Sequence, residues 1–146
     1  MVRLTFVVLI LSLAGCSSPA PQATTKQGPT EIAGPATTTS KHPLAKYIEL
    51  AGFRLTESKP GQLDVKFVAI NHSEADLGDL GLTIRLQTTA AKPGDPPLAE
   101  FMAKVPSLGP LEIKDISAKV STKLRIYELP DWQFMRVDFD ITSPAP

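Results

Sequence analysis

Residues 62–89 read QLDVKFVAINHSEADLGDLGLTIRLQTT, and the fold turns on how their apolar side chains are spaced. Leu63, Val65, Phe67 and Ala69 fall on one side of an extended chain and Asp64 and Lys66 on the other, while Val68 and Ile70 make the far end apolar on both faces. After a polar stretch from Asn71 to Asp79, Leu80, Leu82, Ile84 and Leu86 alternate with Gly81, Thr83, Arg85 and Gln87. An amphipathic helix repeats every 3.6 residues, whereas successive side chains of a strand point to opposite faces, so strict alternation marks a half-buried strand. Two strands joined by a polar loop are the expectation.

The same pattern recurs on either side. Met135, Val137, Phe139 and Ile141 alternate with Arg136, Asp138 and Asp140. A first strand is expected in KYIELAGFRLTE, residues 46–57, with a bulge or bend at Gly52 where Ile48 and Leu50 change phase to Phe53 and Leu55. LAEFMAKV, residues 98–105, turns Phe101, Ala103 and Val105 inward, and EIKDISAKVSTKL, residues 112–124, does the same with Ile116, Ala118 and Val120. Turn chemistry separates these runs at Lys59-Pro60-Gly61, at Asn71 to Asp79, at Lys92 to Pro97, at Leu108-Gly109-Pro110 and at Leu129-Pro130-Asp131. Six or seven short strands at this spacing predict an all-β domain over residues 46–146, two antiparallel sheets packed as an immunoglobulin-like or fibronectin-like sandwich. Its roughly 100 residues suffice for one core without metals or disulfides.

FVAINHSEADLGDLGLTIRL at 67–86, followed by SLGPLEIKDISAKV at 107–120, resembles the bacterial FxLYD and late-embryogenesis-abundant-like domains, which are β-sandwiches often carried by envelope lipoproteins. The matching features are an apolar strand ending in Asn71 and a small polar residue, an alternating strand, and a Leu-x-Pro turn at Leu108 to Pro110 leading into another strand. The resemblance implies a binding or structural module without catalytic activity.

The chain begins MVRLTFVVLILSLAGCSSPAPQATT, and Cys16 is its only cysteine. About twelve mostly apolar residues follow Arg3, a helix length of roughly 18 Å against a hydrocarbon core of about 30 Å, too short to span a bilayer. A basic start, a short apolar run and then small residues are the layout of a secretory signal peptide. Leu13-Ala14-Gly15-Cys16 resembles the bacterial lipobox, which implies that residues 1–15 are removed and that Cys16 becomes the lipidated first residue of the mature chain. Two or three acyl chains hold a protein to a membrane firmly where one holds it marginally. Ser17, a residue other than Asp after the cysteine, implies the outer membrane, facing the periplasm, in a host with two membranes. Residues 16–45, rich in Pro, Thr, Ala and Gly and without aromatic residues, are expected to be a disordered tether of roughly 30 Å as a coil and up to roughly 90 Å extended. Glycosylation of Thr37-Thr38-Thr39-Ser40 is the alternative use of that segment.

Over residues 46–146 twelve Lys and Arg stand against fourteen Asp and Glu, so no basic face suggests nucleic acid and no polybasic segment suggests anionic lipid. The two histidines, His42 and His72, lie by no recognisable nucleophile elbow, and His72 and Ser73 as strand neighbours would point to opposite faces. No enzyme activity, cofactor or metal is expected. Glu74, Asp76 and Asp79 lack the spacing of a calcium loop, and Met102 and Met135 stand too far apart in sequence to read as a copper pair. Asn71-His72-Ser73 matches a glycosylation acceptor, but a strand-ending Asn explains it as well. The candidate partner surface is Trp132, Phe134 and Met135 in LPDWQFMR. If that stretch is strand, Trp132 and Phe134 share one face and Met135 and Val137 the other, so one apolar set misses the core. The plainer alternative buries Trp132 between the sheets, as immunoglobulin domains do. The expected function is a lipid-anchored envelope module that binds a protein or glycan. An accessory of an enzyme or metal-handling system, or a structural subunit of a larger envelope complex, are the alternatives.

Overall fold

The computed structural model describes residues 30–146, so the apolar leader and Cys16 lie outside the described residues. Seven strands follow one another as β1 (Thr30–Ile32), β2 (Ile48–Lys59), β3 (Gln62–Asn71), β4 (Leu80–Thr88), β5 (Ala99–Val105), β6 (Ile113–Ser121) and β7 (Met135–Ser143). They make two antiparallel sheets, β1-β2-β3-β6 and β5-β4-β7. The expected sandwich is therefore the fold. The β2-β3 hairpin forms the centre of the larger sheet, β4 is central and β5 an edge in the smaller, and β6 and β7 each return to the sheet opposite the strand before them.

Alternation places the core where the sequence puts it. Leu63, Val65, Phe67 and Ala69 of β3 face Leu82, Ile84 and Leu86 of β4 across the interior, and Phe101, Ala103 and Val105 close one side. The Phe53 and Phe67 rings stack with centroids 4.8 Å apart. Gly52 performs the phase change expected of it. Its φ of +65° is open to glycine at little cost, and the β2-β3 register slips between Ala51 and Arg54. Ile48 and Leu50 before it and Phe53 and Leu55 after it consequently all point inward.

The tether expected over 16–45 is corrected from Thr30 onward. Thr30 to Ile32 pair with Leu55 to Phe53, and Ile32 is buried. The chain then crosses to the other sheet. The Ala36 N–H donates to the Leu50 carbonyl at 2.7 Å, the Thr37 N–H donates to the Val137 carbonyl at 2.8 Å, and the Phe139 N–H donates to the Thr37 carbonyl at 2.9 Å. The Thr37 hydroxyl also bonds the Asp138 carboxylate. His42 is buried; its Nδ1 accepts from the Leu44 N–H, which leaves Nε2 to donate to the Pro144 carbonyl at 2.9 Å. Residues 30–42 thus cover the outer edges of β2 and of β7, rows of backbone groups that would otherwise invite pairing with another chain.

Candidate functional site

Asn71 ends β3 and organises one end of the sandwich. It is almost wholly buried, and its amide nitrogen donates to the Ala75 and Gly109 carbonyls, each at 2.8 Å. Its amide oxygen accepts from the Ser73 N–H at 2.8 Å and the Ser73 hydroxyl at 2.7 Å. Every donor of the side chain is used, so Asn71 ties the 71–79 loop to the 106–112 turn. Leu77 and Leu108 bridge the two loops and are buried between them. Glu112 completes the turn: it accepts the Gly109 N–H at 2.6 Å and pairs with Lys114 at 3.2 Å. The Gly109 N–H first, and Lys114 after it, hold its carboxyl below the ordinary glutamate value.

On this braced end stand side chains that no sequence reading singled out. Leu111 has a φ of +55°, a left-handed conformation that costs a non-glycine residue of order 1–3 kcal/mol, and its side chain is exposed. Ile113 is exposed beside it, and its register partner is Ile70. Val68 and Ile70, which make this strand end apolar on both faces, are only half-buried. One face of the sheet is covered and the other is not. Val68, Ile70 and Ile113 therefore form an apolar strip on the outer face, with Leu111 at its rim. The signal was available in the sequence: Ile113 shares the parity of Asp115, Ser117 and Lys119, which face water.

The surface expected at Trp132, Phe134 and Met135 is rearranged. Trp132–Phe134 form a 3₁₀ turn after Pro130, and strand begins only at Met135. Met135 turns into the core and drops out of the surface, whereas Trp132 and Phe134 are exposed at 52% and 55%. Burial of the tryptophan between the sheets is likewise corrected, because the turn places it outside the strand alternation. Tyr127, in the preceding 3₁₀ turn Ile126–Glu128, is also exposed, with the Arg125 guanidinium 5.3 Å from its ring centre.

Polar groups elsewhere are engaged with one another. His72 pairs with Glu49 at 2.7 Å and Ser73 with Asn71, so the two neighbours make no dyad. Arg85 reaches Glu100 at 2.7 Å and Asp140 at 2.6 Å across three strands, and those two carboxylates, Asp140 foremost, raise its affinity for its proton. Glu74, Asp76 and Asp79 are exposed, and among the described residues no three His, Cys, Asp or Glu side chains gather as a metal site. Met102 and Met135 lie on opposite faces of their sheet, one exposed and one buried. An open cleft of about 330 Å³ beside Asp79, Gly81, Lys104 and Ser143 presents one carboxylate, and that already accepts the Ser107 N–H at 2.8 Å. Comparison with protein-family models, with curated proteins and with solved structures returned no match.

Proposed function

We propose that this chain is a lipid-anchored envelope module that binds another envelope component, protein or glycan, and carries out no chemistry of its own. The observation that supports this reading is the strained, exposed Leu111 beside Ile113, on a turn that Asn71 and Glu112 make rigid. Backbone strain persists where surrounding structure over-determines it, and such positions concentrate at sites that grip a ligand. An apolar strip presented without internal freedom can be covered at small entropic cost. The lipobox-like Leu13-Ala14-Gly15-Cys16 and the resemblance to FxLYD and late-embryogenesis-abundant-like domains support the envelope setting, with the outer membrane facing the periplasm as the location where the host has two membranes.

A photoreactive residue in place of Ile113, illuminated in living cells, is expected to give a discrete adduct that the same residue at Lys119, on the same strand and facing water at its other end, does not give. Equal labelling at both positions, or none at Ile113, would remove this surface. Adducts made only with further copies of the chain would favour the reading as a structural subunit.

A further inference from the structure

The exposed aromatic residues lie at the end of the sandwich where the anchored chain arrives. Strand β1 runs antiparallel to β2, with Thr30 opposite Leu55 and Ile32 opposite Phe53, so the chain reaches Thr30 from the side on which β2 runs out to Lys59. Trp132 and Phe134 directly precede Met135, which pairs with Thr88, the last residue of β4, and their turn touches β1. Arg125, beside Tyr127, is bonded to Glu57 near the end of β2. Tyr127, Trp132 and Phe134 therefore share one end, opposite to Leu111 and Ile113.

We propose that this aromatic end rests on the lipid surface to which Cys16 ties the chain, an inference that stands on the lipid-anchor reading. About 13 residues separate Cys16 from Thr30, at most roughly 45 Å even when fully extended, so packing of residues 30–45 on the sandwich shortens the reach by about half. An attached patch meets its surface at high effective concentration, and weak contacts then become populated without added affinity. Trp and Tyr are the residues that settle at the headgroup boundary, with an apolar ring inward and a polar edge to water. Charge at this end is mixed: Lys59, Lys123 and Arg125 stand among Glu57, Glu128 and Asp131. The contact is accordingly with the interface itself rather than with anionic headgroups.

Trp132 is the only tryptophan of the chain, so its fluorescence reports this surface alone. With the full lipidated protein in neutral phosphatidylcholine vesicles, its emission is expected to shift to the blue and to fall by roughly half when bromine is placed high on the acyl chains, as for a ring seated 5–10 Å into the boundary. Anionic lipid should change this little. Moving the tryptophan to the far end, with Trp132→Phe and Ile113→Trp together, should abolish the quenching, and undiminished quenching there would overturn the inference. A protein that floats with the vesicles while Trp132 stays unquenched and open to acrylamide would also overturn it and leave the anchor standing. Failure to float at all would overturn the anchor reading and this inference with it. Protection of Trp132 only after other envelope proteins are added would assign the patch to a protein instead.

Discussion

Asn71→Ala is expected to destabilise the domain by about 3–4 kcal/mol, since it removes four hydrogen bonds at a nearly inaccessible site, each with a net contribution near 1 kcal/mol. The Gly109 carbonyl loses the side-chain donor that ties it to the 71–79 loop, while the Ala75 carbonyl keeps the Ser73 hydroxyl at 3.0 Å. Asn71→Asp, nearly the same shape, should be worse than Ala, because a carboxylate would face those two carbonyl oxygens from inside the protein. Urea unfolding checks both variants: the midpoint should fall with the slope unchanged, because the two sheets bury the same surface. A midpoint within error of the unsubstituted protein would mean that the loops hold each other without Asn71.

Starting the chain at Lys46 instead of Thr30 should lower the thermal midpoint by about 10 °C or more. Burial of Ile32 alone is worth about 1.5–3 kcal/mol, and 1 kcal/mol shifts a domain of this size by about 4–8 °C. The shortened chain also loses the Thr37 pairing with β7 and the His42 contact with Pro144. It exposes backbone edges on both sheets, so light scattering should show it self-associating where the longer chain does not. Equal midpoints would return residues 30–45 to the role of a spacer.

Why that segment escapes a reading of periodicity is clear from its contacts. β1 contributes three residues and Thr37 a single bridge, so no run is long enough to display a period of two, and Ile32 is the one residue of β1 that is buried. The long strands are different. In β3, β4 and β7 each inward residue repeats the signal, and a slip of one residue would turn every one of them to water. Gly52 was legible for the same reason, since only a bulge reconciles Leu50 with Phe53. Trp132 and Phe134 would alternate with Met135 only in a strand, and a 3₁₀ turn after Pro130 does not follow that period. Asn71 could be read as the end of a strand, but its bond to Gly109 crosses 38 residues and has no local signature.

The reading as a lipid-anchored module depends most directly on Cys16, and intact-mass and peptide analysis of the protein isolated from its own membranes tests it. The account predicts that the mature chain begins at Cys16, that residues 1–15 are absent, and that the cysteine carries a diacylglyceryl thioether. A chain from the envelope fraction that retains residues before Cys16, or that carries Cys16 as a free thiol, would contradict it.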